Sequence, residues 1–323
     1  MNLKLCAPHL CGGLVLLALV STPTAQAQTA RPAPDSDRAK ALQVLVDKAV
    51  RSTLDQFADK GLKPDQLAVT LIDLRDPERP TRTSYRGDAQ IYPASVIKMF
   101  YLVAAHRSME DGKMKDTEEL RRAMHDMIVY SYNEATGYVV DLLTGTTSGP
   151  ELPENDLKDW FDKRNVVNRY FASLGYTDIN ANKKPWCEGP YGRETQAIKV
   201  FKPTRNMLTT DATARLLSEI ATGKAVSAKR SGEMMGLMKR DPFGESKDPD
   251  NQAKFTGPAL PKGAKLWSKA GWTSQTRHDA AYVELPDGSK FVLVTFTVDH
   301  ANDHGIIPAV AKVVVAEISA TKN

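Results

Sequence analysis

Ser95 and Lys98 are the residues whose types and spacing most directly suggest chemistry. They stand three apart where Pro93 ends an extended stretch and a dense apolar series begins, a pattern typical of the start of a buried helix. Residues three apart on a helix share one face, and a helix N-terminus favours a developing anion. A lysine in apolar surroundings loses part of its preference for the charged state, so Lys98 can take a proton from the hydroxyl. The spacing predicts a serine nucleophile activated by a lysine, and an ordinary helix-start serine is the alternative.

Ser131 and Asn133 form a second polar pair, which lies between two predicted helices. Both side chains of such a pair can face a cleft, where the hydroxyl relays a proton to a leaving group and the carboxamide holds a substrate amide. The alternative is that Asn133 only caps the helix beginning at Glu134.

A third group, Lys269-Ala270-Gly271, lies on a predicted strand. A small residue followed by glycine lets a substrate lie against the strand edge. Lys269 would supply positive charge beside the proton relay, and the backbone N–H of Trp272 can pair with that of Ser95 as an oxyanion hole. An exposed lysine on a sheet is the alternative.

In this order the motifs Ser-x-x-Lys, Ser-x-Asn and Lys-x-Gly resemble those of the penicillin-recognising serine hydrolases, and specifically the class A β-lactamases. The resemblance covers nearly all of the chain after residue 27. Residues 209–217 resemble the helix that follows the Ω-loop of that class, and 277–281 resemble the segment after its Lys-Thr-Gly strand.

The resemblance implies an acyl-enzyme at Ser95, with Lys98 as base partner and Ser131 as proton relay. The residues expected to contact substrate are Asn133, Lys269, Gly271, Trp272 and Thr273. The implied activity is hydrolysis of a β-lactam amide, and no cofactor is expected.

The third motif departs from the family pattern in its middle residue. Ala270 stands where the family usually has threonine or serine, which helps to bind the substrate carboxylate. Thr273, Ser274 or Arg277 are the candidates to compensate. Trp272 is bulky where small residues are usual.

The Ω-loop motif Glu-x-x-Leu-Asn, which carries the deacylating glutamate of class A enzymes, does not occur in the sequence. Glu194 is the best-spaced substitute and Glu188 the next, against the alternative of solvated loop glutamates. Gly137 stands where the family has the asparagine that steadies this glutamate. The departures keep two other functions open: a D,D-peptidase or esterase-like hydrolase on cell-wall peptides or small acyl substrates, and a penicillin-binding or sensor protein that stays acylated.

Hydrophobic periodicity predicts an α/β (α+β) fold, and the resemblance implies that it is of the β-lactamase/transpeptidase type. An antiparallel sheet is built from both chain ends and flanked by helices, with an all-helical subdomain inserted between them. The predicted sheet subdomain covers about 38–94 and 262–323, and the helical subdomain covers about 95–261. A cleft between the two is the expected site. Residues 178–204 show no clear hydrophobic periodicity, so no helix or strand is predicted there.

The first 27 residues have the features of a signal peptide. Lys4 is the only charge before Arg31, residues 14–20 are apolar, and 25–27 fit a small-x-small cleavage site. We therefore expect a periplasmic or secreted protein with no membrane span after cleavage and a linker at 28–37. Cys187 would be the single remaining cysteine, which excludes an intramolecular disulfide.

The composition also limits the partners. The net charge is only +4 and has no focused basic cluster, so nucleic acid is not an expected partner. His300, Asp303 and His304 indicate a polar turn, not a metal site. We expect a monomer acting on a small β-lactam or a D-alanyl peptide.

Overall fold

A six-stranded antiparallel sheet is the centre of the computed structural model, which describes residues 36–186 and 188–318. The predicted signal peptide, the linker up to residue 35 and Cys187 lie outside the described residues. The strand order is β2-β1-β6-β5-β4-β3. The strands are β1 (Leu67–Asp73), β2 (Thr81–Tyr85), β3 (Lys239–Arg240), β4 (Lys265–Trp272), β5 (Thr276–Glu284) and β6 (Lys290–Val298).

Helices cover both faces of this sheet. They are α1 (Ser36–Gln56), α2 (Ile97–Glu110), α3 (Glu118–His125), α4 (Asn133–Thr144), α5 (Glu154–Arg164), α6 (Val166–Ser173), α7 (Arg193–Val200), α8 (Thr210–Ala221), α9 (Ala228–Met238) and α10 (Ile306–Ile318). Within the two described ranges, none of these helices combines the length and apolar character needed to cross a bilayer.

Strand β1 shows why the sheet needs two apolar layers. All of its residues are buried, and its side chains alternate between the two layers. Val69 and Leu71 belong to a core with α1 and α10, whereas Ala68 and Ile72 belong to a second core with α2 and α8. Because β1 pairs directly with β6, both chain ends build one sheet. The predicted fold class is therefore confirmed.

Apolar periodicity predicts one helix over 116–128 and another over 157–174 in the middle region. The structure differs from the sequence-based prediction in three stretches. The helix predicted over 157–174 is divided into α5 and α6 at Asn165, whose side chain donates to the carbonyl of Phe161 at 2.8 Å and so competes with helical bonding. The helix predicted over 116–128 ends in a π-helical turn, Asp126–Tyr130. The segment 178–204, which shows no period, contains α7.

A buried histidine on β5 ties the sheet to the residues before Ser95. His278 lies opposite Gly271 in the β4–β5 register. Its Nδ1 accepts from the N–H of Thr297 at 3.1 Å, so Nε2 carries the proton and donates to the carbonyl of Tyr92 at 2.9 Å. Burial lowers the pKa of His278 to about 4. The ring is therefore neutral at ordinary pH and holds the chain just ahead of Ser95.

This depressed pKa predicts a loss of stability in acid. An unfolded histidine titrates near 6.5, so the unfolded state binds a proton that folded His278 does not bind until about pH 4. Between pH 7 and pH 4.5 the wild type should lose about 2.5 kcal/mol more free energy of unfolding than His278→Gln. Urea unfolding of both proteins at the two pH values measures the difference. Equal losses would contradict the prediction.

Candidate active site

Ser95 lies in a tight 3₁₀ turn, Ala94–Val96, that leads directly into α2. The turn is tighter than the helix start expected from the sequence because the carbonyl of Pro93 accepts from the N–H of Val96 at 3.1 Å. Ala94 has φ 47°, in the left-handed region that residues with a β-carbon rarely adopt. Such strain is typical of functional sites, where the surrounding structure holds it.

Strand β4 passes directly against this turn at Gly271. A β-carbon at position 271 would lie 2.7 Å from Ser95 N and 2.8 Å from Pro93 O, distances that real β-carbons do not show. The glycine predicted to admit substrate is thus also required by the packing of the serine turn. Because residues two apart on a strand share a face, Lys269 lies on the same side of β4 as this contact.

Lys98 joins the first motif to the second. Its side chain is fully buried, and Nζ donates to Asn133 Oδ1 at 2.8 Å and to Ser131 Oγ at 3.3 Å. It also donates to the Ser131 carbonyl. Asn133 is the first residue of α4, and its Nδ2 donates to the carbonyl of Trp186 at 3.2 Å. Its amide therefore faces the site, and no cap hydrogen bond forms at this helix start.

Lys269 approaches the same hydroxyl from the sheet. It is fully buried, unlike an ordinary sheet lysine, and Nζ donates to Ser131 Oγ at 3.0 Å. Further bonds reach Gln252 Oε1 at 3.0 Å and Ala270 O at 2.7 Å. Ser131 has φ 62° and ψ 30°, in the left-handed region, at the end of the π-helical turn. One hydroxyl thus lies between two ammonium groups that come from distant segments.

Burial and neighbouring positive charge disfavour a state in which Lys98 and Lys269 are both protonated. Burial lowers the pKa of Lys269 well below its ordinary value, and the nearby charges of Lys98 and Arg240 lower it further. Asp279 opposes this effect, although burial raises the pKa of its own carboxyl to about 6. An excess of positive charge in a buried site means that one amine can be neutral and accept a proton.

Gln252 is a site residue that sequence reasoning missed. Its Oε1 accepts from Lys269 Nζ and from the N–H of Ala270 at 3.1 Å. Its Nε2 donates to the carbonyls of Ile128 and Val129 at 3.0 and 2.8 Å. It therefore joins β4 to the turn that presents Ser131. A lone glutamine in a segment without periodicity carries no sequence signal for such a role.

Ala270 and its candidate substitutes lie away from the polar cluster. Ala270 faces the opposite side of β4, in an apolar cluster with Phe255 and Ile307. The Thr273 hydroxyl accepts from backbone N–H groups of the β4–β5 turn. Arg277 is buried and pairs with Asp250 at 2.6 Å. Of the other predicted positions, Ser274 is exposed and Trp272 packs on Phe255 with ring centroids 5.7 Å apart.

Glu194 lies in a buried polar cluster, not in a solvated loop. Its Oε1 accepts from Arg164 Nη2 at 2.5 Å and from Ser148 Oγ at 2.9 Å. Lys184 extends the cluster through Ser148 Oγ at 3.1 Å and the carboxylate of Asp141. The water-activating role of Glu194 stays a prediction, and Glu188, its alternative, is exposed. At Gly137 an added β-carbon would contact the Lys184 side chain at 3.6 Å.

The sheet, the flanking helices and this lysine–serine cluster define a β-lactamase-like serine hydrolase. The model of the β-lactamase enzyme family matches residues 49–318, and the chain belongs to that family.

Solved structures with the same fold include two bacterial β-lactamases and a PBP. The β-lactamase of Sphaerobacter thermophilus is 18% identical, with a TM-score of 0.61 over 85% of this chain and 98% of that one. The β-lactamase of Chitinophaga pinensis is 18% identical, with a TM-score of 0.60 over 86% and 99%. A PBP-A mutant in an acyl-enzyme complex with penicillin G is 18% identical, with a TM-score of 0.58 over 89% and 98%. A search among curated protein sequences gives no match.

The contact at Gly271 predicts that Gly271→Ala is damaging. The new β-carbon would push the Ser95 turn away from β4, because the nearest atoms are backbone. We expect about 2 kcal/mol or more of lost stability and at least a hundredfold slower reaction of Ser95 with an acylating substrate. Urea unfolding and the rate of adduct formation by mass spectrometry measure the two effects.

Gly236→Ala on α9 is the matched control. A β-carbon there meets no atom within 4 Å, and alanine favours a helix, so stability should be equal or higher and the acylation rate unchanged. Similar behaviour of the two variants would show that the 271 contact is unimportant.

Proposed function

We propose that the chain is an exported serine hydrolase of the class A β-lactamase type that opens a β-lactam amide through an acyl-enzyme at Ser95. The observation that carries the proposal is the convergence of Lys98 and Lys269 on the Ser131 hydroxyl, at 3.3 and 3.0 Å. The contact of Gly271 with the Ser95 turn brings the nucleophile to the same strand. A nucleophile, a base and a proton relay are the groups that acyl transfer needs.

In the proposed mechanism, Lys98 takes the proton of Ser95, and Oγ attacks the carbonyl carbon of the substrate amide. The backbone N–H groups of Ser95 and Trp272 stabilise the oxyanion. When the carbon–nitrogen bond breaks, Ser131 gives its proton to the leaving nitrogen and receives one from Lys98. Lys269 stabilises the negative charge on the relay oxygen during this transfer. Asn133 binds the substrate amide beside the acyl group.

The proposal extends to the setting of the reaction. Residues 1–27 would be removed as a signal peptide and the monomer would act in the periplasm or outside the cell. The site lies where the sheet subdomain, about 38–94 and 262–323, meets the helical subdomain.

A second candidate is a slowly deacylating penicillin-binding protein or a D,D-peptidase. The observation that favours it is the engagement of Glu194 by Arg164 and Ser148. The carboxylate oxygen that accepts from the buried guanidinium and from the serine hydroxyl is occupied by these bonds and is not directed at a hydrolytic water. With Glu194 so engaged, the acyl-enzyme would persist.

Acylation at Ser95 predicts a mass adduct with a chromogenic β-lactam. The wild type should gain the mass of the opened β-lactam, whereas Ser95→Ala should gain none, because the attacking oxygen is gone. Ser173→Ala, which removes an exposed hydroxyl on α6, is the control and should react like the wild type. Sustained release of the hydrolysed chromophore favours the β-lactamase, and a stable adduct favours the second candidate. An equal adduct on Ser95→Ala would exclude Ser95 as the nucleophile.

Glu194→Gln separates the two roles of this glutamate. If the residue only pairs with Arg164, we expect an unchanged adduct lifetime and a loss of about 3 kcal/mol in the free energy of unfolding. Time-resolved mass spectrometry and urea unfolding measure these quantities. A longer adduct lifetime in the variant would instead establish Glu194 as the water-activating base. Glu188→Gln, measured in parallel, tests the other carboxylate.

A further inference from the structure

A cleft of about 530 Å³ lies beside the catalytic cluster. Three residues of its wall are neighbours of that cluster: Tyr130 precedes the relay serine, Trp272 follows Gly271, and Gln252 accepts from Lys269 Nζ. Most of the other lining residues lie between positions 239 and 251, which follow α9.

The position of this cleft indicates which part of a substrate enters it. In the proposed mechanism, on which this inference rests, Ser131 protonates the leaving nitrogen. The cleft begins at the residue next to Ser131, so substituents attached on the leaving-group side of the scissile bond point into it. The acyl part of the substrate would lie towards Asn133 and Trp186, which are joined by a 3.2 Å hydrogen bond.

The charges of the cleft are mainly negative. Among the described residues, the carboxylates of Asp241, Glu245 and Asp248 form no ion pair, and only Asp250 is neutralised, by Arg277. The Arg240 guanidinium pairs with none of these carboxylates and instead donates to backbone carbonyls such as that of Ser268 at 3.0 Å. Lys239 is the other cation among the described lining residues.

Two aromatic side chains complete a wall that suits a cation. Tyr130 is 57% exposed, and the Trp272 ring also lines the cleft. Aromatic faces attract cations, and nearby carboxylates strengthen that attraction. Neither Ala270 nor Arg277 supplies an anion-binding group to the cleft. Ala270 packs on Phe255, and Arg277 is paired with Asp250.

We infer that this cleft is a leaving-group subsite that selects substrates with a cationic substituent on the leaving-group side of the scissile amide. For a β-lactam the substituent is a quaternary or aromatic ammonium group. For a peptide it is the free amine of a diamino acid that follows the scissile bond.

Two cephalosporins that share one 7-acylamino group test the inference. One carries a pyridiniomethyl group at C3 and the other a neutral acetoxymethyl group. Because they differ in intrinsic reactivity, the informative quantity is the ratio of their second-order acylation rate constants, compared between protein variants. Glu245→Gln/Asp248→Asn should lower the rate for the cationic compound about fivefold and change the neutral one less than twofold. Added salt should reduce the wild-type ratio in the same direction.

A charge-matched control uses two exposed carboxylates of α5. Asp156→Asn/Asp159→Asn removes the same net charge away from the cleft and should leave the ratio unchanged. An unchanged ratio in the cleft variant, or an equal fall in both variants, would overturn the subsite. If neither cephalosporin acylates the wild type, the proposed function fails, and the subsite inference fails with it.

Discussion

The Ser131 hydroxyl, held between the ammonium groups of Lys98 and Lys269, is the interaction on which the rest of the site depends. Two buried amines that both carried a proton within reach of one oxygen would repel each other, and burial adds a desolvation cost. The fold offsets this cost with neutral acceptors. Asn133 Oδ1 accepts from one lysine, and Gln252 Oε1 accepts from the other. The side-chain NH₂ group of each residue also donates to backbone carbonyls, which fixes the orientation of both amides.

These neutral acceptors determine the electrostatic character of the pocket. A carboxylate in their place would neutralise a lysine, whereas an amide satisfies its hydrogen bonds and leaves the positive field intact. The only described carboxyl that acts on Lys269 in this way is Asp279, and burial raises its pKa to about 6. In the proposed mechanism, this field would stabilise the negative charge that develops during acyl transfer.

The sequence predicted those parts of the molecule that periodicity or spacing encodes. Apolar residues that alternate indicated strands, and those that recur every three or four positions indicated helices. Their order along the chain indicated a sheet built from both chain ends. The three spaced motifs indicated which polar residues meet in one site. The role of Gln252 was not predicted because it depends on two backbone segments that meet only in the folded chain. The tight turn at Ser95 was not predicted for a similar reason. Ala94 adopts its strained backbone conformation only because tertiary packing holds it there.

Glu194 shows that sequence spacing alone does not determine the role of a residue in a region without periodicity. Its spacing made it the best substitute for the missing Ω-loop glutamate, but spacing carries no information about Arg164, which approaches from α5. The role of a carboxylate depends on its partners in space, and those partners come from other parts of the chain.

The pairing of β1 with β6 has a consequence for biosynthesis. Strand β4 is joined to β1 and β2 through β5 and β6, and β6 is made after the other five strands. A nascent chain that stops before residue 290 has no strand to join the two ends, so Lys269 has no rigid support. Under the proposed function, Ser95 would therefore become reactive towards an acylating compound only after β6 has been made, and a shorter nascent chain would be insensitive to it.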